Sequence, residues 1–231
     1  MPKRMYGQLC PIARSLDVLG ERWTLLIVRE LLLGPKRFKE LLALLPATGT
    51  NRLAERLQLL ERSGVVTRRA VPGATELRAY ELTEYGERLR PLLAGLAAWG
   101  AELPLDDEVD PDSARADLMA LYLTEHASPG AAAELRETWQ FHVGDEVFHV
   151  TVADGRAHTR SGPAPVPADL TLTCGPAAFD ALTRGTMTPA DATASGALTA
   201  TGDLALLDHP FRVLRLPTAG FRPSATPPPH L

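Results

Sequence analysis

Between Leu53 and Leu82 the apolar pattern changes period, and this change restricts the possible folds more than any other feature of the chain. Leu53, Leu57 and Leu60 recur at helical spacing, and Gly64 stands where a helix C-cap is expected. Val65-Val66-Thr67-Arg68-Arg69-Ala70-Val71 follows as a β-prone run, Pro72-Gly73-Ala74 predicts a turn, and Leu77 to Leu82 predicts a second strand. Upstream, Ile12, Leu16, Leu19 and Trp23, then Leu26, Val28, Leu31 and Leu32, recur at helical spacing in a first helix broken by Gly34-Pro35. Phe38, Leu41, Leu42 and Leu45 mark a short second helix that Pro46 ends. Thr48, Thr50 or Asn51 can cap the third, and Thr83 caps a long helix from Glu84 to about Glu102. Three helices, a two-stranded wing and a closing helix are the order of a winged helix-turn-helix.

In that fold the third helix reads DNA. With Leu53, Leu57 and Leu60 turned inward, a 3.6-residue wheel places Asn51, Glu55, Gln58 and Arg62 on the opposite face, with Arg52 and Arg56 flanking and Thr50 at the start. Arg suits guanine and Asn suits adenine, each through two hydrogen bonds. Lys36, Arg37 and Lys39 begin the preceding helix, and Arg68, Arg69 and Arg78 decorate the wing. Both groups suit phosphates, which give affinity without sequence information. Each of these side chains taken singly is equally compatible with a solvated face.

Charge divides the chain in the same place. Residues 1–104 hold 16 Lys+Arg and 11 Asp+Glu, a net +5, whereas residues 105–231 hold 8 and 17, a net −9. A positive half can approach a phosphate backbone, and an acidic half is repelled from it. The acidic, proline-bearing stretch 105–112 reads as a linker between a domain at 1–104 and a second at 113–216, and the proline-rich run 217–231 reads as a tail. A linker of roughly ten residues spans at most about 35 Å.

The second domain reads as α+β. Ala114 to Leu123 and Gly130 to Leu135 predict helices, and Trp139 to Val152 a hairpin turning at Gly144-Asp145. Asp169 to Cys174 predicts a strand, Phe179 to Arg184 a helix, Ala197 to Thr201 a strand and Leu204 to Leu214 a closing helix. The hairpin register puts Trp139, Phe141, Val143, Phe148, Val150 and Val152 on one sheet face, where Phe179, Leu182, Met187, Phe211 and Leu214 can oppose them. Such a lining suits an apolar ligand and equally suits an ordinary core. Gln140, His142, Val147 and His149 take the other face. The two His there lack a third metal ligand and are expected in solvent. No catalytic residue, metal or cofactor is expected, since no G-x-S-x-G, H-E-x-x-H or P-loop occurs and no nucleophile is paired with a base. Thr201-Gly202-Asp203 and Asp169 can serve only as polar lip residues.

Apolar residues at 45% and charged residues at 23% are ordinary for a soluble globular chain. No apolar run approaches the roughly 18 residues of a membrane span, and the N-terminus lacks a signal-peptide core, so a cytoplasmic protein without membrane association is expected. The two cysteines, Cys10 and Cys174, lie far apart and form no C-x-x-C pair.

Residues 6–101 resemble the HxlR family of winged-helix bacterial regulators. The resemblance rests on Cys10-Pro11-Ile12-Ala13, Leu16 to Ile27 with Gly20-Glu21-Arg22-Trp23-Thr24, Arg29-Glu30-Leu31 and Arg37-Phe38-Lys39-Glu40-Leu41. It continues through Leu53-Ala54-Glu55-Arg56-Leu57, Gly64-Val65-Val66-Thr67-Arg68, Tyr80 to Gly86 and Trp99-Gly100. Thr50-Asn51 departs from the family's usual Ser after an apolar residue. The resemblance implies operator DNA as partner and a homodimer formed by the first and last helices of this domain. In parts of the family a cysteine at the position of Cys10 senses oxidants or electrophiles. The alternative, preferred on the residues alone, is a small buried side chain packing the first helix. Residues 113–216 are similar to sterol-carrier-protein type lipid-binding domains. The likeness is carried by Asp169 to Cys174, Pro176 to Phe179, Leu182, Gly185 to Ala192, Gly196-Ala197-Leu198 and Thr201-Gly202-Asp203. The expected fold class is therefore mixed: an α-rich winged helix-turn-helix domain plus an α+β sterol-carrier-like domain. The expected function is a transcriptional regulator, read as a repressor, whose operator binding is modulated by an apolar small-molecule effector. A redox-sensing regulator through Cys10, or an enzyme or lipid carrier in the second domain, is the alternative.

Overall fold

The computed structural model describes residues 5–71, 74–104, 110, 113–127 and 130–216. The expected Pro72-Gly73 turn, the tail and nearly all of the linker lie outside them. The chain divides into two compact units between Leu93 and Ala94.

In the first unit, α1 (Pro11–Leu19) and α2 (Thr24–Leu32) replace the single first helix expected from the spacing. The chain breaks at Gly20, where a Cβ would sit 2.7 Å from the Leu16 carbonyl oxygen, and at Trp23, which is left-handed at φ 78°. The break lets α2 present Ile27, Val28 and Leu31 to the core, all at most 1% exposed. Lys36–Arg37 forms a short strand, β1, and α3 (Phe38–Leu44) starts after it. After a 3₁₀ turn at Pro46–Thr48 comes α4 (Thr50–Arg62), whose N-cap is Gly49, with no capping side chain, in place of the Thr or Asn expected. Leu53, Leu57 and Leu60 are fully buried as the period requires. β2 (Val66–Val71) and β3 (Ala74–Leu82) form the wing, and β1 joins β3 on its other edge, pairing Lys36 with Tyr80. A two-residue strand has no period to read, so β1 is invisible in the sequence. The long closing helix is two pieces, α5 (Glu84–Glu87) and α6 (Arg90–Gly100). Pro91 lacks the N–H that would continue α5 into α6, and it fits the first turn of a new helix.

The second unit begins with α7 (Ala116–Glu125), whose first amides are capped from afar: Ala116 N donates to Glu146 Oε1 at 2.8 Å. No helix forms over residues 130–135, which turn and bend instead; six residues are too few to nucleate one without packing. The sheet order is β6-β5-β4-β7-β8, with β4 (Glu137–Val143), β5 (Glu146–Ala153), β6 (Arg156–Ser161), β7 (Leu170–Cys174) and β8 (Leu198–Gly202). β4 and β7 are parallel, and the other neighbours are antiparallel. The hairpin turns at Gly144-Asp145 in the expected register, with Phe141 opposite Phe148. β6, after the Asp154-Gly155 turn, and α9 (Pro189–Ala194) were not anticipated. α8 (Pro176–Arg184) ends at left-handed Gly185, and the closing segment is a 3₁₀ turn at Leu204–Leu206 followed by α10 (His209–Val213). Residues from α7, α8 and α10 pack on one sheet face to make the core.

Gly86 gives a direct test of the joint between reader helix and wing. A Cβ there would sit 2.1 Å from the Val65 carbonyl oxygen, a backbone atom that cannot swing away. Gly86→Ala is expected to cost about 1–3 kcal/mol, read as a lowered midpoint in thermal or urea unfolding.

Candidate nucleic-acid interface and the apolar core

α4 exposes Asn51, Arg52, Glu55, Gln58 and Arg62 along one side, opposite its buried leucines. Thr50 is exposed at its first turn. Its C-terminal end is fixed by Thr83. That hydroxyl donates to the Gly64 carbonyl at 2.6 Å and accepts from Gly86 N at 3.0 Å, so one side chain joins α4, the wing and α5.

Three expected placements are corrected by the structure. Arg56 does not flank the exposed face as a free cation: its side chain is 16% exposed and lies 3.6 Å from both Glu21 and Glu55. It anchors α4 to the turn between α1 and α2, a role unreadable from sequence because Glu21 is 35 positions away. Lys36 does not begin a helix; it is 8% exposed within β1. Arg37, also expected in the helix, is the N-cap of α3 and is held by Glu40, with Nε donating to Oε1 at 2.8 Å. Burial raises the Glu40 carboxyl, but hydrogen bonds and charge from Arg37 outweigh it and leave the group below its ordinary range. Lys39 and Arg52 are exposed and make no ion pair among the described residues. On the wing, Arg68 stacks over Tyr80 at 5.2 Å and reaches Glu61 at 3.2 Å, Arg69 reaches Glu81 at 3.4 Å, and Arg78 is exposed.

Cys10 is exposed at the N-cap of α1, not buried against it. Lys3 and Arg4, its neighbours in sequence, lie outside the described residues. α1 also exposes Ile12 and Leu16, and α6 exposes Leu92, Leu96 and Trp99.

In the second unit Trp139, Phe141, Val143, Phe148, Val150 and Val152 are all within 1% of full burial on one sheet face. Phe141 stacks on Phe148 at 4.8 Å, and Phe179 and Phe211 meet Phe141 edge-on at 6.0 and 6.5 Å. Leu182 and Leu214 join this cluster, and Met187 packs half-buried at its rim. Trp139 Nε1 donates to Glu137 Oε2 at 2.7 Å, and His209 Nδ1 lies 2.7 Å from the other carboxylate oxygen. Neither His on the opposite face is simply solvated. His149 is 8% exposed and donates through Nδ1 to the Gly162 carbonyl, and His142 lies 2.9 Å from Gln140 Nε2. Ala164 N donates to Gln140 Oε1, so residues 162–169 cross this face between β6 and β7 and cover it. Asp169 accepts from Thr138 N at 2.7 Å and is structural. Among the described residues no group of three His, Cys, Asp or Glu could hold a metal, and no helix is long and apolar enough to cross a membrane.

Residues 18–107 match the family model described as HxlR-like helix-turn-helix. The HTH-type transcriptional regulator YvaP of Bacillus subtilis (strain 168), itself uncharacterized, is 40% identical over 97 residues, covering 42% of this chain and 90% of the relative. The chain belongs to the HxlR-like helix-turn-helix family. The HTH-type transcriptional regulator YodB of the same organism is 38% identical over 96 residues, covering 41% of this chain and 86% of YodB. A solved structure of reduced YodB covers 45% of this chain and 100% of that one, at 36% identity and TM-score 0.37. This membership makes the chain a helix-turn-helix transcriptional regulator, a family whose partner is DNA. Residues 114–222 match a different family model, alkyl sulfatase C-terminal. The sec-alkylsulfatase Pisa1 from Pseudomonas sp. covers 46% of this chain and 17% of that one, at 19% identity and TM-score 0.42. The second unit, α+β by its own sheet and helices, matches the alkyl sulfatase C-terminal family model, where a sterol-carrier type was expected.

Arg52, in the first turn of α4, and Arg56, at its middle, should separate cleanly in stability. Arg56→Ala removes a largely buried stem and its ion pairs and is expected to cost about 1 kcal/mol. Arg52→Ala, on an exposed side chain, should stay within about 0.5 kcal/mol of the parent in the same unfolding measurement.

Proposed function

We propose that the chain binds operator DNA as a homodimer through two copies of α4, and that its C-terminal domain takes up an apolar small molecule that modulates this binding. The observation that carries the DNA half is the exposed polar face of α4 at Asn51, Arg52, Glu55 and Gln58, on a helix locked at its far end by Thr83. Arg52 and Asn51 read bases, while Lys39 and the wing arginines meet phosphates. The exposed apolar residues of α1 and α6 are the dimer surface. Repression relieved by ligand is the regulatory logic, since a ligand shifts DNA affinity only by binding the free and DNA-bound forms unequally.

The ligand half is supported by the apolar cluster around Phe141, Phe148 and Phe179, reached at its rim by the half-buried Ala178 and Met187. An apolar ligand there enters a core whose rings already touch, so binding displaces the covering helices. A second reading is favoured by the exposure of Cys10, which leaves its thiol open to oxidants or electrophiles. Cys174 is no competitor, because burial pushes its thiol up to about 11.

Footprinting of the full chain on a DNA fragment it selects tests the central part. Two protected half-sites are expected, about 10 base pairs or a multiple apart centre to centre. Protection of a single half-site, or a monomer by sedimentation, contradicts the dimer. Loss of operator binding on oxidation in the parent but not in Cys10→Ser would favour the second reading over the apolar effector.

A further inference from the structure

We propose that the N-terminal end of α4 seats a phosphodiester oxygen, and that Thr48 supplies a hydroxyl to it. This rests on the DNA-binding reading above and deepens it. An open concavity of about 570 Å³ is lined by Thr48, Gly49, Thr50, Asn51, Arg52 and Glu55. It lies at the start of a 13-residue helix whose N-cap, Gly49, offers no side chain to the first amides. Those amides lack intrahelical acceptors and carry the positive end of the helix dipole, which is what an anion requires. A Cβ on Gly49 would meet nothing within 4 Å, so the approach is open.

Thr48 is the independent observation. It is 3% exposed, lines the concavity, and its Oγ1 has no hydrogen-bond partner among the described residues. Buried polar atoms in native proteins are nearly always satisfied, and one that is not calls for a ligand or water. Arg52, exposed at the rim, adds positive charge nearby without binding the anion, its guanidinium being the base reader proposed above. Glu55 is the one carboxylate among the lining residues, and Arg56, 3.6 Å from it, offsets its repulsion. A tetrahedral oxyanion fits this set, accepting from amides and from the hydroxyl. On an exposed reader helix that oxyanion is a backbone phosphate of DNA; inorganic phosphate offers the same chemistry from solution.

The test uses the full chain and a duplex that the parent binds, with neutral methylphosphonates introduced one at a time. At one position per half-site the neutral linkage should weaken the parent about tenfold, the worth of a hydrogen bond to a charged group. At that position Thr48→Val should lose clearly less, and Thr48→Ser should behave as the parent. Because the comparison is a ratio between positions, a general loss of folded protein cannot imitate it. If Thr48→Val and the parent respond alike at every position, the proposal is overturned. In a second arm inorganic phosphate is titrated into the DNA-free chain while the amide resonances of residues 49–52 are followed. Saturation there without a coupled methylphosphonate position assigns the seat to a free ion and overturns the DNA assignment. A parent that binds no duplex defeats the DNA-binding reading itself, whereas a parent that binds without a coupled phosphate defeats this proposal alone.

Discussion

Thr83 and Gly86 make the joint on which the first unit depends. The Thr83 hydroxyl donates to the carbonyl that ends α4 and accepts from the amide that starts α5, while Gly86 lies directly against the Val65 carbonyl. The wing leaves this joint and returns to it, so reader helix and wing share one anchor. Arg56 supplies a second anchor at the middle of α4, toward the turn after α1. A helix anchored at its middle and at its C-terminal end can present its exposed surface with fixed geometry, which groove recognition requires.

The parts of this arrangement that follow a period were legible in the sequence. The buried stripe of α4, the wing and the register of the β4–β5 hairpin all come from spacing that burial enforces. The parts set by distant partners were not. Nothing local distinguishes Arg56 from Arg52, yet Glu21 draws one inward and leaves the other exposed. Lys36 looks like a helix-start cation until β3 claims its backbone. The break between α1 and α2 hides behind a continuous helical period, and only Gly20 signals it. In the second unit β6 and the crossing at residues 162–169 carry little apolar alternation, so His142 and His149 look solvated although one bonds a crossing carbonyl and the other a side chain that holds the crossing.

The two units divide the chemistry as they divide the charge. A net +6 over residues 1–93 suits a phosphate-rich partner, and a net −10 over residues 94–231 does not. The second unit instead concentrates its apolar material on one sheet face, with Phe148, Phe179 and Phe211 packed around Phe141. A core of that kind confers stability whether or not it opens to a ligand. Its rim, where Ala178 and Met187 remain half-buried, is where the two uses diverge.

That α4 is the element meeting DNA is tested most directly by photocrosslinking. A photoreactive amino acid is placed at Gln58, on the exposed face of α4, or at Thr199, on the exposed surface of β8, in otherwise unchanged chains bound to the same duplex. The account predicts DNA adducts from position 58 and none from position 199. Adducts from position 199 with none from position 58 would contradict it.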